Sequence, residues 1–76
     1  MKTPVGKYFK NDVAHYFCYE EDDLFENRFR LVQVREHSVG IVLSDRSQKL
    51  KRSTRKAFMA AYRRTIEKLD EIVTIV

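Results

Sequence analysis

The chain contains few of the residues that cross-link or interrupt a small fold. Its 76 residues include one cysteine (Cys18), one proline (Pro4) and two glycines. A single cysteine forms no internal disulfide, which is the usual support of small secreted domains, so we expect a reducing, cytoplasmic environment. Because no proline- or glycine-rich linker divides the chain, we expect one small domain spanning residues 1–76.

Long apolar runs are also missing. No stretch approaches the roughly 18 apolar residues that cross a bilayer. No short apolar run follows the first residues as in a signal peptide, so we expect neither a membrane span nor a leader. Hydrophobic residues still make up 43% of the chain and aromatic residues 12%. This composition is typical of a folded domain and not of a disordered tail.

Motifs of catalysis and metal binding are missing as well. We find no glycine-rich phosphate loop, no nucleophile turn and no paired-carboxylate motif. His15 and His37 are isolated on separate segments, without further ligands at metal spacing. Positions 15 and 18 point to opposite faces of an ideal strand, which excludes a catalytic pair of Cys18 and His15. We therefore expect a protein that is not an enzyme and has no metal or cofactor.

Alternation of apolar and polar residues predicts three or four short strands. Residues 13–19 and 28–35 are the clearest, residues 39–43 form a third strand, and residues 5–10 form a short edge strand. In the second clear strand Phe29 and Leu31 share one face, whereas Val32 and Val34 share the other. This slip indicates either a bulge or a strand that is covered on both faces.

The segment 20–27 carries five acids in its first seven residues and predicts a solvated connecting loop. It lacks the ligand spacing and turn glycine of a calcium loop. Two other roles stay open for it: repelling phosphate from one side of the molecule, or docking against the basic residues of a second copy.

The last third of the chain predicts one amphipathic helix. At 100° per residue, the side chains within about 60° of one line form an apolar stripe: Phe58, Ala61, Tyr62, Thr65, Leu69, Ile72 and Val76. Ser53 or Thr54 is placed to cap the start, and an alternative places the start at Ser47. The expected fold is α+β: a three- to four-stranded antiparallel meander followed by one C-terminal helix packed on one sheet face. On that face Phe58 and Leu69 are expected to be buried against Phe17, Leu31 and Ile41 or their same-face neighbours, and Val13 shares the face of Phe17.

This order of elements resembles that of single-stranded nucleic-acid binders of the Whirly and Pur type. The resemblance implies a binding module with an open sheet face. It rests on the order of elements alone, since we recognise no motif residue of either family in the chain.

Positive charge is concentrated in the last part of the chain. Residues 1–45 hold 6 Lys/Arg and 8 Asp/Glu, a net charge of −2, whereas residues 46–76 hold 9 and 3, a net charge of +6. Arg55 and Lys56 lie at the positive end of the predicted helix dipole, which costs stability and therefore points to a functional role. The candidate binding residues are Arg46, Lys49, Lys51, Arg52, Arg55, Lys56, Arg63 and Arg64.

These features predict a nucleic-acid-binding module, with RNA or single strands favoured over duplex DNA. Phosphate contacts would dominate and sequence specificity would be low. Tyr16 and Tyr8 have two alternatives: they remain on the open sheet face, where a ring stacks on an unpaired base, or they pack in the core or across strands, which is commoner for aromatic residues at strand spacing. Alternatives are an accessory protein that binds another protein, a subunit that works only as a homo-oligomer, and a charged surface that serves solubility alone.

Overall fold

A computed structural model describes residues 4–22, 28–45 and 49–75, excluding the side chains of Asp45 and Ile75. The elements are β1 (Tyr8–Lys10), β2 (His15–Glu21), β3 (Arg28–Val34), β4 (Val39–Asp45), β5 (Lys51–Arg52) and α1 (Arg55–Ile75). The strands form one antiparallel sheet in the order β4-β3-β2-β1-β5. The expected α+β fold is confirmed, with five strands in place of three or four.

Strand β5 was not predicted, and it changes two expectations. It pairs with β1, so β1 lies inside the sheet and is not an edge strand. The backbone N–H of Ser53 donates to the Tyr8 carbonyl at 2.9 Å, which extends this pairing by one residue. Because Lys51 and Arg52 are extended, the alternative helix start at Ser47 is wrong and α1 begins at Arg55.

The helix packs on one face of the sheet, here called the helix face, through four aromatic rings. Tyr8 stacks on Phe17 with centroids 4.8 Å apart, and Phe58 lies 5.5 and 6.2 Å from these two rings. Tyr62 stacks on Phe58 at 6.3 Å. Further along, the Thr65 hydroxyl donates to the Arg35 carbonyl at 2.6 Å. The helix therefore runs diagonally, from the β5 edge to the end of β3.

The opposite face of the sheet carries a second core. Its buried members are Ala14, Tyr16, Cys18, Phe29 and Leu31, and the half-buried residues packed against them are Val5, Phe9, Val42 and Leu50. Strand β3 is thus covered on both faces, since Val34 is buried on the helix face. This covering explains its slipped pattern, and the register shift of the sheet falls in β2, between Cys18 and Glu20.

The packing partners expected for the helix are confirmed only in part. Phe58 is buried and contacts Phe17 as predicted. Leu31 lies on the opposite face, and Ile41 is exposed, so neither packs against the helix. Val13, expected to share the buried face of Phe17, precedes β2 and is exposed.

The acidic segment is only partly a loop. Glu20 and Glu21 belong to β2, where Glu20 forms an ion pair with Arg30 of β3. Asp22 is buried, and its backbone N–H donates to the Arg28 carbonyl at 2.9 Å. The rest of the predicted loop, residues 23–27, lies outside the described residues. Within the described ranges, no helix has a stretch that is both long and apolar enough to cross a membrane.

Candidate nucleic-acid interface

The predicted binding residues occupy one edge of the sheet and the adjoining part of the helix. The seven that the structure describes are all exposed: Lys49, Lys51, Arg52, Arg55, Lys56, Arg63 and Arg64. We call these seven residues the basic surface. Arg46, the eighth, lies outside the described residues. Exposure of all seven leaves their charges accessible to a large anion.

Strand β5 divides the basic run between two faces of the sheet. Lys51 pairs with Lys10 and Arg52 pairs with Phe9, and neighbouring residues of a strand point to opposite faces. The Arg52 guanidinium lies 6.0 Å from the centroid of the Phe9 ring, within the range of a cation–π contact. Since β5 is the outermost strand, the positive charge wraps around an edge and is not confined to one face.

The helix start adds a second source of positive potential. The Thr54 hydroxyl accepts the Ala57 N–H at 3.2 Å, so Thr54, one of the two predicted candidates, is the N-cap. The first turn of α1 contains no acidic residue and the last turn no basic residue. The free N–H groups of a helix start carry partial positive charge. Arg55 and Lys56 therefore add their charges where the backbone already attracts anions.

The remaining arginines of the helix lie further along its outside. Lys56 and Arg63 are seven residues apart, which places them on the same side of the helix two turns from each other. Arg64 is turned about 100° away and lines a cavity at the end of the sheet. The basic surface thus extends from the β5 edge over the helix start and along its outer side.

The cavity beside Arg64 has a volume of about 350 Å³ and collects cations that the sequence analysis did not select. Arg35 and Lys68 line it with Arg64, and the acids Asp12 and Glu36 lie there too. Lys68 follows Arg64 by one helical turn, a spacing visible in the sequence. Lys10 lies opposite Lys51 in the sheet. The positions of Lys10 and Arg35 depend on how the strands pair, and the sequence pattern does not predict that pairing.

His15 also lines this cavity, and its Nδ1 is buried with no hydrogen-bond partner among the described residues. Desolvation by burial lowers the pKa of His15 below its ordinary value, and the charges of Lys10 and Arg64 lower it further. These surroundings disfavour the charged imidazole and therefore favour its neutral form.

Of the two alternatives for Tyr16 and Tyr8, packing is confirmed and the base-stacking platform is wrong. Tyr16 is only 3% exposed, and its hydroxyl accepts hydrogen bonds from Asn11 Nδ2 and Gln33 Nε2, both at 3.1 Å. Tyr8 is held in the aromatic cluster under the helix. The face expected to be open is covered by the second core, so neither tyrosine presents a free ring.

The chemistry available at this site is electrostatic. In the described part of the chain, no three His, Cys, Asp or Glu side chains come together as a metal site would require. Cys18 is fully buried on the opposite face, and burial is the main cause that raises the pKa of its thiol, with the charge of Glu21 adding to it. What the arrangement offers is a row of exposed cations, suited to a polyanion.

Comparison with protein-family models, curated proteins and solved structures finds no match to this chain. The resemblance in element order to Whirly- and Pur-type proteins is therefore not supported by sequence or structural similarity. The geometry and charge of the basic surface are the features of this chain that bear on its function.

Proposed function

We propose that the protein is a non-enzymatic module that binds single-stranded nucleic acid, RNA in particular, through the phosphates. The observation that carries the proposal is the seven-residue basic surface, whose members are all exposed. Among the described residues, Arg30 forms an ion pair with Glu20, and no residue of the basic surface forms one. Uncompensated cations at a marginally stable helix start reduce stability, and a bound polyanion would offset that cost.

The shape of the basic surface favours a flexible strand over a duplex. Between Phe58 and Thr65, the part that carries Arg63 and Arg64, the helix is packed on the sheet, so this part is not free to enter a major groove as a recognition helix does. A single strand is able to bend around the β5 edge, between Lys51 on one face and Arg52 on the other. The buried tyrosines leave phosphate contacts as the main source of affinity, so we expect little sequence preference.

Two matched double variants test this proposal. Arg55→Gln with Lys56→Gln removes two charges from the basic surface, and Lys7→Gln with Arg35→Gln removes two charges outside it. Arg52 is left unchanged because its contact with Phe9 gives it a second role. Both variants have the same net charge, so a general electrostatic effect is equal in the two proteins.

The measurement is a salt titration of binding to labelled single-stranded RNA, single-stranded DNA and duplex DNA. Each lost phosphate contact should flatten the slope of log affinity against log salt by about 0.7–0.9. We expect the Arg55/Lys56 variant to lose about 1.5 units of slope on every sequence, and the Lys7/Arg35 variant to keep the wild-type slope. Absence of binding by the wild type at low salt would contradict the proposal and favour an acidic protein partner. Equal losses in both variants would place the site elsewhere.

A further inference from the structure

Apolar side chains are exposed on the outer strand β4 and at the end of the helix. In the described part of the chain five large apolar side chains are exposed, and four of them lie on β4 or at the end of α1: Ile41, Leu43, Ile72 and Val73. Ile41 is 66% exposed and Val73 is 74% exposed. With the half-buried Val32 and Leu69, these four residues are here called the apolar surface.

The diagonal path of the helix explains why β4 is left uncovered. Phe17, which contacts the helix, pairs with Val32, and Val32 pairs with Ile41, so all three lie on the helix face. The helix crosses β1, β2 and β3 and reaches the end of β3 at Thr65. Strand β4 lies beyond it, so Ile41 and Leu43 face outward on the helix face with no helix over them.

The end of the helix is also uncovered, because it extends beyond the sheet. A helix of 21 residues is about 31 Å long, and Thr65 is already at the end of the sheet. Every described side chain from Asp70 to Thr74 is exposed, including Ile72 and Val73. The apolar stripe that packs on the sheet at Phe58 therefore continues for more than a turn beyond Leu69 with no described residue packed against it.

Strand β4 is also an unprotected edge. It has seven residues, is paired on one side by β3, and forms the outer edge of the sheet. Natural edge strands are usually short or carry lysine or proline, as β5 does with two basic residues. The only charged residue of β4 is Asp45, at its end. The two edges of this sheet are therefore of opposite character.

The accessible surface area of the chain is larger than that of a compact monomer of the same mass, as expected if a partner covers part of it. The chain exposes 5964 Å² for a mass of 9.1 kDa, whereas a compact monomer of that mass exposes about 4900 Å². Its radius of gyration is 13.5 Å, against about 11 Å for a compact chain of this length. The excess of about 1000 Å² is comparable to the roughly 800 Å² that each partner buries in a stable interface.

We propose that the apolar surface binds a second copy of this chain in a two-fold symmetric homodimer. A two-fold interface places the same patch against itself, so the two halves of the patch must fit each other. Here one half is a strip of sheet that lacks a helix, and the other is a helix end that lacks a sheet. The dimer axis lies on the β4 side, so the basic surfaces at the two β5 edges remain exposed at the far ends of the dimer.

Sedimentation equilibrium over a range of protein concentrations tests this proposal. The sample is nuclease-treated and measured in high salt, so that neither bound nucleic acid nor pairing of unlike charges holds two copies together. We expect a dimer in the wild type and monomers in both Ile41→Glu and Val73→Glu. The control is Val13→Glu, because Val13 is 61% exposed but lies outside the apolar surface; this variant should remain a dimer.

Three results would overturn the proposal. One is a wild type that stays monomeric at every concentration; another is a dimer that survives both glutamate substitutions; the third is a Val13→Glu variant that dissociates as readily as the other two. Circular dichroism of each variant shows whether it is folded. Should Ile41→Glu unfold, Val73→Glu and the wild-type concentration series decide the question, because Val73 lies in the overhanging part of the helix.

Discussion

The hydrogen-bonding environment of a buried polar side chain differs sharply between neighbouring positions of this domain. Tyr16 and His15 are neighbours in β2, yet they meet opposite conditions. The Tyr16 hydroxyl is matched by two amide donors in the second core, whereas His15 Nδ1 is buried without a partner among the described residues. Because a buried polar atom without a hydrogen bond costs about 1–3 kcal/mol, the surroundings of His15 are less favourable than those of Tyr16.

The lowered pKa of His15 predicts a loss of stability in mild acid. A group whose pKa is lower in the folded state stabilises the fold fully above its unfolded pKa, near 6.5. The free energy of unfolding should therefore fall as the pH drops below about 6.5. In His15→Gln this part of the pH dependence should be absent. Urea unfolding of both proteins between neutral pH and pH 5 measures it, and parallel curves would contradict the prediction.

The helix is the element in which stability and proposed function conflict. Its stripe is anchored by Phe58 and Thr65, but its ends carry charges of unfavourable sign, with Arg55 and Lys56 first and Asp70 and Glu71 last. The start depends on one side chain, since the Thr54 hydroxyl accepts the Ala57 N–H. We infer that this cap has to offset much of the repulsion at the helix start.

Removing the cap should destabilise the protein measurably. Thr54→Ala should lower the free energy of unfolding by about 0.5–2 kcal/mol, whereas Thr54→Ser should keep most of it. Ser53→Ala is the neighbouring control, because Ser53 contributes its backbone N–H to the sheet and not to the cap. Thermal unfolding followed by circular dichroism compares the three variants. A larger loss for Ser53→Ala than for Thr54→Ala would show that the cap is misassigned.

At the scale of the whole molecule, charge is distributed unevenly along the sheet. The β5 edge carries Lys51 directly opposite Lys10, a pair of like charges that destabilises a strand pair. The helix start lies next to this edge and adds Arg55 and Lys56. The far edge, β4, is apolar. The molecule therefore has one electropositive end and one apolar end.

This distribution predicts that moderate salt stabilises the folded protein. Screening weakens repulsion between exposed charges, and the screening length falls to about 8 Å at physiological ionic strength. The melting temperature should therefore rise as sodium chloride is increased from very low concentration to that level. The rise should be smaller in the Arg55→Gln, Lys56→Gln variant, measured at the same protein concentration. A melting temperature that falls with salt would mean that attractive ion pairs dominate.

Local patterns in the sequence determined the elements of this protein. Alternation located β2, β3 and β4, the apolar stripe located α1, and Thr54 was one of two candidate caps for its start, because each of these signals acts between residues close in the chain. The clustering of positive charge after residue 45 was likewise visible from composition. The seven described candidate residues are exposed as expected, since isolated charges are rarely buried.

Only the tertiary structure decided which face each element covers. Strand β5 has two residues, too few for a periodic signal, and it exists because β1 offers it a partner. The second core that buries Tyr16 brings together Val5, Phe29 and Leu50, which are distant in the chain. The exposure of Ile41 follows from the diagonal path of the helix across the sheet. These features depend on contacts between distant segments, and local periodicity carries no information about such contacts.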